Sequence, residues 1–321
     1  MTRQAVIVSY ARTGLAKAGR GGFNATPHMT ILGHAIEHAV KRSGADPAEI
    51  EDVIAGCVVA SGNVARAAAL LAGLPVTVSG MTLNRACSSG LNAIAVAANH
   101  IVAGGADIMV GCGVDSISFQ AAAGGGPKDQ KLLDTFPAYW MPMIDTADIV
   151  AARYNISRER QDRYSVESQK RTAAAQQSGK FKDEIVPMDT VMTVVNKDTG
   201  ETKNVPYTVN RDECNRPDTT YEALASLKPV KGLDKFVTAG NASQLSDGAA
   251  AVVVMEGKEA AKRGLKPLGI FKGCAVAGCE PDEMGIGPVF AVPRLLQRHG
   301  LKIEDIDLWE LNEAFASQVL Y

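Results

Sequence analysis

The stretch Asn84-Arg85-Ala86-Cys87-Ser88-Ser89-Gly90-Leu91-Asn92-Ala93-Ile94-Ala95-Val96-Ala97-Ala98 changes character at its cysteine. Before it, residues 76–83 read as an apolar strand. After it, small residues open a segment that is apolar on almost every side, which predicts a buried helix over 91–102 closed by Gly104-Gly105. Cys87 then stands at the N-terminus of that helix. The helix dipole and the unbonded backbone N–H groups there favour a thiolate, and the same N–H groups can hold an oxyanion. The small neighbours let a thioester-sized group approach. On these residues alone, a packed structural cysteine stays open as the alternative.

Outward from this segment the pattern alternates. Residues 5–8 read as a strand, 30–42 as a helix, 53–59 as a strand, 65–71 as a helix and 108–110 as a strand. Alternation of this kind predicts a layered α/β fold. From 118 to about 234 the character shifts. Gly124-Gly125-Gly126-Pro127 reads as a flexible loop. Residues 157–177 read as a charged helix with Ser157 as its N-cap and Arg158, Arg160, Arg163 and Lys170 on its polar faces. Residues 198–218 are polar and turn-rich. The whole stretch reads as an exposed insertion, and the α/β pattern resumes at Phe236 with a strong strand over 249–255. A faint repeat links Gly44 and Ile50-Glu51-Asp52-Val53 to Gly300 and Ile303-Glu304-Asp305-Ile306, each a helix end, a polar turn and a strand start. Chance similarity and duplication both remain open on the repeat alone.

The 321 residues correspond to about two domains. Lys plus Arg total 33 and Asp plus Glu 35, a net charge of −2, so no basic excess points to nucleic acid or a membrane surface. No apolar run is long enough to span a bilayer. The first residues lead directly into a strand pattern without a signal sequence, and the chain reads as a bacterial cytoplasmic protein. The six cysteines contain no C-x-x-C pair; Cys112 and Cys274 read as small buried residues. There is no P-loop, dinucleotide fingerprint or G-x-S-x-G elbow. His34-Ala35-Ile36-Glu37-His38 fits a zinc-peptidase pattern, but Ile31, Leu32, Ala35, Ile36, Ala39 and Val40 form that helix's apolar stripe. The histidines lie on the polar face with no third ligand nominated, so no metal is expected.

Taken together, the ordered segments resemble the thiolases, the acetyl-CoA and 3-ketoacyl-CoA acyltransferases. Residues 84–91 resemble the nucleophile signature and 111–118 the strand and turn after it. Residues 240–250, 278–288 and Asn312-Glu313-Ala314-Phe315 resemble three further signatures. The resemblance implies an α/β thiolase fold of two similar βαβαβαββ halves in a five-layered arrangement with a loop-domain insertion. Residues 1–118 and 235–262 would form the N-terminal half, 119–234 the CoA-binding loop domain, and 263–321 the start of the C-terminal half. The implied function is reversible acyl transfer, condensing two acetyl-CoA or cleaving 3-ketoacyl-CoA, with CoA as co-substrate and no separate cofactor.

By the same resemblance, Cys87 accepts the acyl group, and its N–H is half of an oxyanion hole. Asn312 holds a water facing the thioester oxygen. Ser243 and Ala239 line the pantetheine tunnel, Arg216 contacts the nucleotide end of CoA, and Met143 and Phe315 line the acyl pocket. A homodimer or homotetramer is implied, with tetramer contacts near residues 120–134. The family also carries a G-H-P histidine and a second cysteine in C-x-G-G-G, the base for the α-proton. None of His28, His34, His38, His100 or His299 precedes a proline, and no cysteine follows Cys279. These residues keep open a second class of function, a thiolase-fold protein that binds acyl-CoA or lipid without condensing it. A chain that continues past Tyr321 is the expectation that favours the enzyme. The acyl-pocket loop reads Pro142-Met143-Ile144 where the family often has His-Met-Gly.

Overall fold

The computed structural model describes residues 3–59, 62–119 and 128–321. The loop at Gly124-Gly125-Gly126-Pro127, and the first part of the stretch expected at tetramer contacts, lie outside the described residues. In chain order the elements begin with β1 (Ala5–Arg12), β2 (Ala16–Lys17), α1 (His28–Ser43), β3 (Asp52–Gly56) and α2 (Val64–Leu71). Next come β4 (Ser79–Leu83), α3 (Ser89–Val102), β5 (Ile108–Ser116), α4 (Gln130–Thr135), α5 (Met143–Arg153) and α6 (Arg158–Gln177). They are followed by β6 (Met188–Val195), β7 (Thr202–Val209), α7 (Tyr221–Ala225), β8 (Ser246–Glu256) and α8 (Gly257–Lys262). The last are β9 (Gly269–Ile270), α9 (Gly287–His299) and α10 (Ala316–Leu320).

The chain packs as two compact units. The first comprises Met1–Gly124, Lys180–Cys214 and Leu245–Lys272, the second Gly125–Gly179, Asn215–Gln244 and Gly273–Tyr321. Residues 119–234 are thus divided between the units. One reason is local to the first unit: Glu184 and Asp212 both pair with Arg12 of β1, at 2.8 and 2.7 Å.

The first unit is built on a mixed seven-stranded sheet of order β4-β3-β5-β8-β1-β9, with β2 beside β8. Strand β3 runs parallel to both β4 and β5, while β8 runs antiparallel to β5 and β1. The two-residue period of a strand sorts the core. Val53, Ala55, Val110, Cys112, Val253 and Met255 join α1 and α2 in one cluster. Ile54, Met109 and Val254 join α3 in another, on the opposite face. The six stripe residues of α1 are all buried, and the helix ends at Gly44, whose φ of 68° is the left-handed cap that glycine supplies.

Several boundaries differ from the sequence reading. Strand β3 stops at Gly56 because the Asp115 carboxylate takes the N–H groups of Val58 and Val59, at 3.0 and 2.9 Å. Strand β4 starts only at Ser79, since residues 75–78 form a turn and the Arg66 guanidinium holds the Val76 and Val78 carbonyls. Residues 202–209 of the polar stretch over 198–218 are a strand, with β7 pairing β6 along its whole length. Helix α3 is buried on one side only: Leu91 is 69% exposed, and Ile94 and Val96 are half-buried.

In the second unit, the Ser157 hydroxyl accepts from the Arg160 N–H and caps α6, as its sequence position predicts. Val150, Ile156 and Ile286 form a small core. Arg153 pairs with Asp282 and Glu283, tying α5 to the 3-10 turn Pro281–Ile286. The buried Asp148 accepts the N–H groups of Phe236 and Val237. Helix α9 ends at Gly300 with φ 64°, followed by a 3-10 turn at Ile303–Asp305, just as Gly44 precedes one at Pro47–Glu49. The faint repeat therefore reproduces a helix cap and a turn, while no strand follows the second copy among the described residues.

Candidate active site

Cys87 precedes the first residue of α3 by two positions and is the one exposed thiol of the six. The turn carrying it is closed by its own polar groups. The Arg85 N–H donates to the Ser89 hydroxyl at 2.7 Å, and that hydroxyl donates to the Ala86 carbonyl at 2.6 Å. The Ala86 N–H donates to Asn84 Oδ1 at 2.9 Å, and the Ser88 hydroxyl donates to the Arg85 carbonyl at 2.9 Å. Ala86 has a φ of 48°, left-handed for a residue with a Cβ, at a cost of about 1–2 kcal/mol. Four local hydrogen bonds offset that strain and present the sulfur outward. The sequence shows Asn84 and Ser89 only as small polar neighbours; the positive φ that makes them necessary is not visible there.

Helix α3 can start this close to the sheet because the strands beneath it are glycine. A Cβ on Gly56 would lie 2.3 Å from the Ser89 carbonyl carbon, and one on Gly111 would lie 2.8 Å from the Ile94 Cα. Gly56 and Gly113 are partners in the β3–β5 ladder, as are Ile54 and Gly111. The result is a mostly apolar cleft of about 500 Å³ beside Cys87, whose lining includes Leu15, Leu91, Ile94, Val114 and Val252. Asp115 and Arg12 supply charge in it.

The other six expected site residues belong to the second unit. Four of them converge. The Ser243 N–H donates to the Ala314 carbonyl at 2.9 Å, and the Ala316 N–H to the Asn241 carbonyl at 2.9 Å. Ala242 bridges Phe315. This places Ser243 beside the segment bearing Asn312 and Phe315, with Ala239 in the turn Thr238 to Asn241 just before it. Ser243, Ala239 and Asn312 are exposed, and Phe315 is half-buried. Met143 opens α5 and is 38% exposed. The Arg216 side chain is exposed without an ion pair among the described residues, and its backbone N–H is fixed by Gln169 of α6.

The family model described as thiolase, N-terminal domain matches residues 5–258, and thiolase, C-terminal domain matches residues 265–321. The chain belongs to the thiolase family. It is 44% identical to a 3-ketoacyl-CoA thiolase of Bacillus subtilis (strain 168), across 99% of this chain and 82% of that protein. It is 42% identical to the human peroxisomal 3-ketoacyl-CoA thiolase, across 98% and 74%. The crystal structure of the Bacillus anthracis acetyl-CoA acetyltransferase superposes with a TM-score of 0.86 at 36% identity, covering 99% of this chain and 82% of that one. The thiolase fold expected from the sequence is therefore the fold of this chain.

The environments of this thiolase's cysteines rank their reactivity. Complete burial pushes the Cys112 thiol up, and burial together with Glu283, Glu280 and Asp282 raises Cys279. Cys57 is buried, while Cys214 and Cys274 are half-buried, so Cys274 is more open than its sequence context predicts. Cys87 is therefore expected to be alkylated first by iodoacetamide at pH 7, and acetyl-CoA is expected to protect it. Peptide mapping that finds Cys57 or Cys279 labelled ahead of Cys87 contradicts this order.

Proposed function

We propose that this thiolase transfers acyl groups through an acyl-Cys87 intermediate, either condensing two acetyl-CoA or cleaving a 3-ketoacyl-CoA with CoA. The observation that carries this reading is the Cys87 turn, an exposed thiol at the head of α3 beside an apolar cleft. In the transfer step the Cys87 sulfur attacks the thioester carbonyl carbon. A new C–S bond forms to Cys87, the bond to CoA breaks, and the proton of the Cys87 thiol ends on the departing sulfur, so that CoA leaves as the thiol. The exchange becomes two steps of lower barrier. The Arg85 and Ala86 carbonyls accept from the Ser88 and Ser89 N–H groups, and we assign the Cys87 N–H to the oxyanion. The test is acid quenching after mixing with acetyl-CoA: an acetyl group on Cys87 supports the reading, and its absence at all times overturns it.

Around that step we assign Asn312 to a water at the thioester oxygen, Ser243 and Ala239 to pantetheine, and Met143 and Phe315 to the acyl chain. The hydrogen-bonded junction of residues 241–243 with 314–316 supports the grouping of four of these. Arg216 we assign to the nucleotide end of CoA, supported by its exposed side chain, which has no ion pair among the described residues. Arg216→Ala is then expected to raise KM for acetyl-CoA about tenfold while leaving an S-acetyl pantetheine substrate unchanged. An equal loss on both substrates places Arg216 elsewhere.

A homo-oligomer fits the sheet edge at β4, unpaired among the described residues, with Met81 of β4 and the preceding Leu71 and Val76 exposed by 43, 58 and 78%. No helix among the described residues is long and apolar enough to cross a membrane. The relatives point to two compartments, a bacterial cell and the peroxisome. We place this chain in the cytoplasm by its likeness to the bacterial protein.

A further inference from the structure

Asn312 stands at the end of a run with little backbone support. No backbone hydrogen bond joins residues 307–312 to the rest of the described chain, and the Asn312 carbonyl meets only Gln318 Nε2, at 3.4 Å. The next residue is held differently. Glu313 Oε1 accepts from the Tyr164 hydroxyl, and Oε2 accepts from the Ser168 hydroxyl at 2.8 Å. Tyr164 and Ser168 are one turn apart on α6, so a single helix face grips both carboxylate oxygens. Burial and the Glu313 contact push the Tyr164 phenol up, which keeps it a donor at neutral pH.

The same helix fixes the neighbouring segment at Asn241. Asp162, fully buried, accepts from Arg158 Nε at 2.7 Å and from Asn241 Nδ2 at 3.0 Å, and the Asn241 carbonyl accepts the Ala316 N–H. Residues after Glu313 are therefore pinned by backbone bonds, whereas Asn312 is pinned through the Glu313 side chain.

We propose that Tyr164 and Ser168 are positioning residues that aim Asn312 by clamping Glu313. The proposal rests on the assignment of Asn312 to the thioester oxygen made above. It also gives Glu313 a structural duty: with both oxygens held by hydroxyl donors, it is not the group that removes the α-proton.

The test compares wild type, Tyr164→Phe/Ser168→Ala, Asn312→Ala and the triple variant. Two quantities are measured: amide hydrogen exchange of a peptide spanning 307–313, and kcat and KM for thiolytic cleavage of acetoacetyl-CoA. In the double variant, exchange in 307–313 is expected to rise at least about tenfold with the β8 peptide unchanged. Its kcat is expected to fall about tenfold with KM within about twofold, and in the Asn312→Ala background the double change is expected to cost nothing further. Unchanged exchange overturns the clamp. Raised exchange with unchanged kcat, or an equal second loss in the Asn312→Ala background, overturns the positioning role. Wild-type kcat in Asn312→Ala is a failure of the Asn312 assignment instead, which takes the positioning role with it and leaves exchange to judge the clamp. Should the double variant not fold, Ser168→Ala alone is read by both measurements, with about a threefold change expected in each; no change overturns the proposal.

Discussion

Cys87→Ala is expected to abolish acetyl transfer while leaving the protein folded and able to bind CoA. The reaction as proposed depends on one sulfur becoming an acyl carrier, and alanine offers no nucleophile in its place. The loss in turnover is expected to exceed about 10³-fold, equivalent to about 4 kcal/mol on the barrier. The stability change is expected to stay within about 0.5 kcal/mol, because the side chain is exposed and makes no hydrogen bond among the described residues. The measurement pairs acid-quenched mass analysis of acetyl label with thiolysis of acetoacetyl-CoA. Persistent labelling of the variant at the wild-type rate would mean that the carrier is another group.

Gly56→Val is expected to damage the scaffold under the Cys87 turn. The atoms that a Cβ would meet are the Ser89 carbonyl carbon and oxygen and the Gly90 nitrogen, at 2.3, 2.6 and 2.4 Å. All three are backbone, so no side-chain rotation relieves the clash. On the strand side, Gly56 is locked between β4 and β5 by its pairing with Leu83 and Gly113. The first turn of α3 must lift off the sheet and carry the Cys87 turn with it. Overpacking of this kind costs about 1–3 kcal/mol, and valine on backbone belongs at the upper end. Tm is expected to fall by several degrees and acylation of Cys87 to slow sharply. Gly278→Ala is the control, since nothing lies within 4 Å of its added Cβ. A Gly56→Val protein with wild-type Tm and wild-type acylation would refute the glycine seat.

Much of this protein follows from local pattern. The apolar stripe of α1 makes a helix, because i, i+3, i+4 spacing leaves one face to bury, and the same six residues are buried. Ser157 caps α6 as any hydroxyl would at that place. Cys87 before a run of small residues marks a helix-head thiol, and the turn bears that out.

Pattern does not carry long-range partners. Strand β3 ends where it does because Asp115, 59 residues beyond Gly56, takes the next two useful N–H groups. Residues 202–209 look like loop by composition, yet they form a strand because β6 offers a full ladder, and β propensity yields readily to context. Leu91 is an apolar residue that the sequence assigns to the core; it is exposed because α3 rests on the sheet by one side only.

The sequence by itself determined the α/β class, the family, the buried stripe of α1 and the place of Cys87 at a helix head, since these rest on residue spacing and on chemistry local to a few positions. Only the tertiary structure decided that Ala86 must bend left-handed to present Cys87, that Gly56 and Gly111 make room for α3, and that Tyr164 and Ser168 meet Glu313 across 149 and 145 residues of chain. The last two depend on backbone contacts and hydrogen bonds between distant segments, whose partners are set by packing, while the Ala86 bend rests on hydrogen bonds within residues 84–89; none of the three leaves a periodic trace in the chain.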